Sequence, residues 1–419
     1  MKIAIYEPDP RICGPDSWAA AMRSGFRDLG HHCDVVSFTK SGKPQVRWGV
    51  IHPTNSASRS CSLQVDVVDK QYRAGAVLDM YDLVVLTDIK AAQCDKEATY
   101  KGELPSYINA LRLTKTPFTS ALHGKLYFEQ HEAPEGWKTQ SGSDYVSELL
   151  ELPNFTGVLA QHANNFDMHC KAIRDLAPSR IPFPLPYKLQ VSDEQVETFI
   201  KHTEFGSNGR LNPNKCHLVV ALGLLDAGLT GSCVFRGVSS VTIGPAYSLE
   251  LMERLMKDGF KGEREGNGGV KSAYPWWLRC GQLEIRHEGA YTSVVKGFAD
   301  IDIHISVTDG QFSGGLLEFA TLEAIDAGCL PIVTSPFDPH YTKMPYLEVT
   351  PMAVSRVGAG WSKNVTARET YARELAKSVA RYKKLTGAQR QECVMDNRYA
   401  IAKQHDPRLL AQRLIDACL

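Results

Sequence analysis

The stretch Asp309-Gly310-Gln311-Phe312-Ser313-Gly314-Gly315-Leu316-Leu317-Glu318, continued by FATLEAIDAGCLPIV (319–333), decides the fold. The residues before it, DIHISVT (302–308), are short, apolar and rich in branched side chains, and they predict a strand. A glycine-bearing turn then opens an almost wholly apolar helix, LLEFATLEAIDAG, which Gly328 ends as a cap before CLPIVTS enters the next strand. That order is one β-α-β unit of a parallel sheet. Gly314 and Gly315 let backbone N–H groups approach an anion closely. Ser313 is expected to cap the helix, with 313–316, Leu316 included, forming its amino end. A helix apolar on all sides is buried, yet this one carries Glu318 and Glu323. A buried carboxylate must meet a partner or a ligand hydroxyl, or it is costly. Two readings stand for these glutamates: ligand binding, or pairing with Arg or Lys of the neighbouring domain.

The same alternation runs through the rest of the second half. LVVALGLLDAG (218–228) reads as a helix, SSVTIG (239–244) as a strand and SLELMERLMKDGF (248–260) as a helix. KGEREGNGG reads as a loop, QLEIRH (282–287) as a strand and TSVVKGF as a helix. In the first half KIAIY (2–6) predicts a strand, EPDPRICGPDS a loop, WAAAMRSGFRDLG a helix ending at Gly30 and CDVVSF a strand. Further strands are YDLVVLTD (81–88), PFTSALH (117–123) and FTGVLAQ (155–161), each ending in a polar loop, as at the working face of an open parallel sheet. The opening turn is not G-x-G-x-x-G, which counts against a dehydrogenase. IPFPLPY (181–187), with three prolines, is neither a regular helix nor an inner strand, and 188–204 reads as helical and polar. The fold class is therefore α/β. The expected parts are a Rossmann-like domain over 1–200, a second over 201–395 and a trailing helix over 396–419 that packs back toward the first domain.

At 419 residues, two domains are the natural division, and 43% hydrophobic with 22% charged residues is the balance of a globular protein. No run approaches the roughly 20 apolar residues of a membrane helix. The amino terminus enters a strand at once without a signal-peptide core, so a cytoplasmic location is expected. The eleven cysteines include no C-x-x-C pair, which argues for reduced thiols rather than zinc or disulfides. Basic and acidic residues both number 47, but 40–73 carries Lys40, Lys43, Arg47, Arg59, Lys70 and Arg73 against Asp66 and Asp69. A basic segment of loop-like composition suits a phosphate backbone, and it equally suits a solvated surface loop.

A second charged motif is Gly209-Arg210-Leu211-Asn212-Pro213-Asn214-Lys215, at a turn that opens a helix. Arg offers a forked donor, Lys a point charge and the helix amino end partial positive charge, which together suit a diphosphate. The plain alternative is a chance surface pair.

G-R-L-x-P-x-K followed by the distant L-E-A-I-x-A-G-C-L-P-I-V resembles the donor domain of retaining glycosyltransferases of GT-B architecture, whose two Rossmann-like domains face each other across a cleft. In that group the Arg and Lys hold the diphosphate and the glutamate binds the ribose, roles that fall here on Arg210, Lys215 and Glu323. The group's other glutamate, eight residues earlier, is replaced here by Gly315, which leaves the donor sugar to Glu318 or Asp309.

More narrowly, the chain resembles the bacteriophage DNA α-glucosyltransferases, which glucosylate 5-hydroxymethylcytosine in duplex DNA. Cys13-Gly14, QHANNFDMHCKAIRD (161–175), G-R-x4-K and LLEFATLEAIDAGC-x-PIV carry that resemblance. The group's acceptor loop has a His-Asp pair; here His123 precedes Gly124, so the His is kept and the Asp is absent, with Lys125 and Glu129 as nearby polar candidates. His123 is expected to hydrogen-bond the donor or relay a proton, the alternative being a loop histidine without a role. Gly14, Asp16 and Ser17 lie where the first helix begins and suit the donor's phosphate or sugar. Glu7, Asp9 and His162 are candidates for the acceptor, with Asn164 beside them, and Lys43 and Arg47 for a basic rim that holds DNA.

The resemblance thus implies sugar transfer with retention, from a UDP-sugar as co-substrate, to a hydroxymethylated pyrimidine in duplex DNA. No prosthetic group and no membrane are expected, and the chain is expected to act as a monomer. No metal site is assigned, and a divalent ion is not required. Two rivals stay open: the same fold acting on a polysaccharide, lipid or small-molecule acceptor, and a nucleotide-sugar-binding protein without transfer activity.

Overall fold

The computed structural model describes residues 1–6, 13–38, 44–48, 64–67, 77–87, 111–122, 151–160, 180–209, 215–237, 243–264, 275–289, 291–307, 317–334, 343–350 and 365–418. They form two compact units, one from Met1–Pro53, Ser60–Lys188 and His405–Leu419, the other from Thr54–Arg59 and Leu189–Gln404. The chain passes between them at Lys188–Leu189 and again at Gln404–His405, where the sequence placed divisions at 200 and 396.

The first unit is built on β1 (Lys2–Tyr6), α1 (Cys13–Asp28), β2 (His32–Phe38), β3 (Pro44–Trp48), β4 (Gln64–Val67), β5 (Leu83–Leu86), β6 (Phe118–Leu122), β7 (Phe155–Ala160) and β8 (Arg180–Pro182). The sheet order is β4-β3-β2-β1-β5-β6-β7-β8. Strands β1, β2 and β5 to β8 are parallel, and β3 and β4 extend the sheet antiparallel beyond β2. Trp18, Ala19, Met22 and Phe26 form the fully buried stripe of α1, at the spacing of one helical face. The helix starts at Cys13, earlier than the sequence implied; Pro15 falls in its first turn, where a missing N–H is tolerated.

The second unit runs through α2 (Asp193–Thr198), β9 (Thr203–Gly206), α3 (His217–Asp226), β10 (Gly231–Arg236), α4 (Ile243–Lys257), β11 (Lys261–Arg264), β12 (Trp276–Cys280), β13 (Leu283–Gly289), α5 (Val294–Phe298), β14 (Ile301–Ser306), α6 (Phe319–Asp326), β15 (Leu330–Thr334), β16 (Glu348–Thr350), α7 (Val365–Lys383) and α8 (Gly387–Gln404). Its sheet order is β11-β12-β13-β10-β9-β14-β15-β16. The parallel strands β13-β10-β9-β14-β15-β16 take the doubly wound order, and β11 and β12 add an antiparallel edge.

Helix α3 is buried from His217 through Leu224. It accepts α7 closely because Gly223 has no side chain: a Cβ there would lie 2.5 Å from the Tyr371 ring. Arg398 of α8 is fully buried and binds Asp326 Oδ1 at 3.0 Å, Asp193 Oδ1 at 2.9 Å and the Val191 carbonyl at 2.6 Å. Asp326 in turn accepts the Gln190 backbone N–H at 2.7 Å, so one buried ion pair ties α6, α8 and the segment leading into α2.

The chain then returns to the first unit as α9 (Pro407–Cys418), which packs on α1. The two helices meet at Gly25, where a Cβ would lie 2.1 Å from the Pro407 carbonyl oxygen.

Several elements differ from the sequence reading. PQVRW and QVDV, within the segment read as loop, are the strands β3 and β4. Residues 188–204, read as helical, contain only the short α2 and then enter β9. Ile243 and Gly244, read as the end of a strand, begin α4. Strands β10, β11, β12 and β16 were not anticipated.

Candidate functional site

In a doubly wound sheet the ligand crevice lies outside the carboxyl ends of the strands, where the strand order reverses. In the second unit that point is between β9 and β14, neighbours whose successors β10 and β15 lie on opposite sides. The chain leaving β9 contains Arg210 and Lys215, and the chain leaving β14 contains 309–318. Both charged motifs therefore start from one crevice.

Lys215 and Glu318 form an ion pair, each largely but not wholly buried. Glu318 is the N-cap of α6, in extended backbone with no side-chain cap bond, because its carboxylate is turned to the lysine. This corrects two expectations: the helix begins at Phe319, so Ser313 is not its cap, and Glu318 stands at the helix entrance rather than inside it. Its partner comes from the same unit and not from a neighbouring domain. Cys216, between Lys215 and α3, has φ 52° and ψ 32°, a left-handed conformation that L side chains seldom adopt. It turns the chain sharply after Lys215, and α3 starts without a side-chain cap.

Both helix amino ends also bear buried polar atoms without a hydrogen-bond partner. These are Nδ1 of His217, the first residue of α3, and Oγ1 of Thr321, in the first turn of α6. The Thr321 hydroxyl can donate to an anion at a helix amino end, whereas His217, neutral and bonded to the Ser207 backbone through its other ring nitrogen, presents only an acceptor at Nδ1.

Glu323 lies one turn further into α6 and is 2% exposed. The Tyr291 hydroxyl donates to its Oε2 at 2.7 Å. Burial, with Asp326 nearby, pushes its carboxyl up to about 8, against the pull of the Tyr291 hydrogen bond. It is therefore held mostly as a neutral acid at pH 7, able both to donate and to accept. The Tyr291 ring packs edge-on against Phe298, and Phe298 against His304.

Asn208 fixes the start of the β9 loop. Its side chain donates to the Gly297 carbonyl at 2.6 Å and accepts the Arg236 N–H at 3.0 Å, and its own N–H donates to Nε2 of His304 at 3.2 Å. Burial drives His304 down to about 4, so this ring is neutral and can accept. Asn208, Tyr291, Thr321 and His304 went unrecognised in the sequence; the one available signal was the Ser207-Asn208-Gly209 turn ahead of Arg210.

Of the residues singled out from sequence, the structure brings together Lys215 and Glu318 and places Glu323 in the same helix. Gly14 falls in the first turn of α1, with Asp16 and Ser17 in the same helix, and Arg47 in β3 opposite Val35 and Val65. Glu7, Asp9, Lys43, His123, Lys125, Glu129, His162, Asn164, Arg210, Asp309, Ser313, Gly314, Gly315 and Leu316 lie outside the described residues. Among the described residues no group of three or more His, Cys, Asp or Glu is placed to hold a metal ion, and no helix is long and apolar enough to cross a membrane.

No known family model matches the chain, and no curated protein matches it in sequence. Solved structures do match in fold. HepE of Anabaena in complex with UDP-glucose superposes with a TM-score of 0.60 at 13% identity, over 99% of this chain and 98% of that one. An alpha-glucosyltransferase in complex with UDP and a 13-mer DNA containing an HMU base gives 0.60 at 14% identity, over 100% and 99%. A glycosyltransferase from Rickettsia africae gives 0.58 at 12% identity, over 99% and 97%. The fold is the GT-B fold over nearly the full chain.

Proposed function

We propose that the protein is a retaining glycosyltransferase that moves a sugar from a UDP-sugar to the hydroxymethyl group of 5-hydroxymethylcytosine or 5-hydroxymethyluracil in duplex DNA. The observation that carries the reading is the Lys215–Glu318 ion pair, which joins the two charged loops at the strand-order reversal of the second unit. The likeness to structures holding UDP, UDP-glucose and DNA supports the same reading.

In this reaction the bond from the sugar's anomeric carbon to the diphosphate breaks, and the diphosphate leaves with the electron pair. Arg210, Lys215 and the amino ends of α3 and α6 take up the growing negative charge. The acceptor oxygen bonds to the same face of the anomeric carbon, and its proton passes to an oxygen of the departing diphosphate, with His123 orienting the hydroxyl. Ser313, Gly314, Gly315 and Leu316 supply backbone N–H groups, Gly14 borders the donor, and Glu323 meets the ribose hydroxyls. The target base leaves the stack to react. Lys43 and Arg47 follow the DNA backbone, while Glu7, Asp9, Lys125 and His162 line the acceptor side.

A panel of UDP-sugars is incubated with duplexes containing 5-hydroxymethylcytosine, 5-hydroxymethyluracil or neither, and the digested nucleosides are weighed by mass spectrometry. A sugar-sized mass gain on a hydroxymethylated nucleoside alone is expected. Donor hydrolysis with no gain on any duplex would sink the DNA reading. The equal fold likeness to HepE, whose complexes hold UDP-glucose or UDP and glucose, keeps open a second reading, in which the same donor chemistry serves a polysaccharide, lipid or small-molecule acceptor. Absence of salt-sensitive binding to DNA would point to it.

A further inference from the structure

Four buried groups are hydrogen-bonded in series and end on Gly237, the residue after β10. The indole N–H of Trp276, in β12, donates to Ser248 Oγ of α4 at 2.9 Å. Ser248 Oγ lies 3.1 Å from Nδ1 of His287, and Nε2 of His287 lies 3.2 Å from the Gly237 carbonyl oxygen. An indole N–H only donates and a carbonyl only accepts, so the proton order is fixed. Ser248 accepts from Trp276 and donates to Nδ1, and the proton on Nε2 goes to Gly237. Desolvation lowers His287 to about 4, which keeps the ring neutral and the pattern intact at pH 7. Trp276, Ser248 and His287 are all fully buried.

The relay ends where the donor loop begins. Gly237 has φ 144°, and a Cβ on it would lie 1.7 Å from the Gly209 carbonyl oxygen, so the two backbones touch. The Gly209 N–H donates to the Arg236 carbonyl at 2.9 Å, and the Gly237 N–H to the Gly289 carbonyl at 2.7 Å. Gly209 is followed directly by Arg210. An apolar core would be stable in this place without any relay. A polar chain that terminates on one backbone carbonyl has a geometric use: it sets where that carbonyl stands.

We propose that His287 is a positioning residue for the donor diphosphate. Locked in one tautomer by Ser248 and Trp276, it fixes Gly237. Through the contact of Gly237 with Gly209, it fixes the backbone that presents Arg210 and Lys215. This rests on the donor-binding reading above.

The test measures UDP affinity by calorimetry and thermal melting for the full chain and for His287→Phe, His287→Gln and Ser248→Ala. The glutamine amide N–H can reach the Gly237 carbonyl, whereas phenylalanine fills the space without a donor. His287→Phe is expected to weaken UDP binding about tenfold, the equivalent of one hydrogen bond of about 1.4 kcal/mol. Ser248→Ala, which frees the imidazole tautomer, is expected to weaken it in the same direction, and His287→Gln to restore it to within about threefold of the parent. With donor and acceptor supplied, the donor KM rises more than kcat falls. UDP affinity unchanged in folded His287→Phe, or affinity that follows melting temperature through all three variants, overturns the inference alone. A parent chain that binds no UDP overturns the donor-binding reading, and the inference with it.

Discussion

Lys215 and Glu318, 103 residues apart in the chain, are joined in an ion pair between the loops that leave the adjacent ends of β9 and β14. On the proposed donor-site reading, an arriving diphosphate competes with Glu318 for the ammonium, and the two side chains are expected to have opposite effects on nucleotide binding. Lys215→Ala is expected to weaken UDP about tenfold or more, the loss of one charge-assisted hydrogen bond. Glu318→Gln is expected to leave UDP affinity equal or tighter while reducing the preference for UDP-sugar over UDP. Calorimetry with both ligands separates these outcomes, and equal loss of UDP in both variants would refute the assignment.

Glu323 predicts an alkaline limb. Its folded value of about 8 lies above the ordinary 4.5, so its contribution is complete below pH 4.5 and is lost as pH rises through 8. Glu323→Gln copies the neutral acid and still accepts from Tyr291. The variant should melt with the parent near pH 4.5 and above it at pH 9, by a gap on the order of a few kcal/mol. A gap that does not grow with pH would contradict a neutral Glu323.

The buried histidines predict an acid limb of opposite sign. His287, His304 and His405 fall to about 4 and His217 to about 3, from an ordinary 6.5, all chiefly through burial. The unfolded chain binds protons there that the folded chain refuses, so stability drops as pH falls from 6.5 toward 4. His405 Nδ1 donates to the Leu185 carbonyl at 2.6 Å. His405→Asn keeps a donor near that place and removes the titration, so its denaturant midpoint should fall less steeply with acid than the parent's.

Arg398→Met should destabilise the second unit by about 3–5 kcal/mol, because it removes the countercharge of the fully buried Asp326 and leaves backbone N–H groups such as that of Gln190 to hold it. Replacing Asp326 by Asn in the same chain should recover part of the loss. Denaturant titration of the single and double variants measures the coupling, and simple additivity would contradict it.

Gly25→Val should lower the melting temperature by forcing α1 and α9 apart, and a thermal melt at the parent value would contradict their contact at Gly25.

What could be read in the sequence followed from periodicity and length. KIAIY, DIHISVT and the long apolar α6 stretch declared themselves, because their side chains are buried on regular faces. PQVRW and QVDV did not, since an antiparallel extension mixes polar residues and a proline into short strands. SSVTIG misled because Ile243 is branched and apolar yet begins a helix. Glu318 and Glu323 were legible as charges in an apolar helical stretch, and Lys215 as half of the Arg210–Lys215 pair at a turn that opens a helix. Asn208 and Tyr291 were not: their partners lie 28 to 96 residues away, and only the folded chain brings them into reach.

The return of α9 to α1 sets an order of assembly during synthesis. Among the described residues the second unit is one continuous stretch, and it can close as soon as it has emerged from the ribosome. The first unit, although translated earlier, must keep the α1 surface around Gly25 uncovered while about two hundred residues are added, roughly ten to forty seconds at bacterial or eukaryotic elongation rates. A frameshift or nonsense lesion near residue 406 would therefore injure the end of the protein made first.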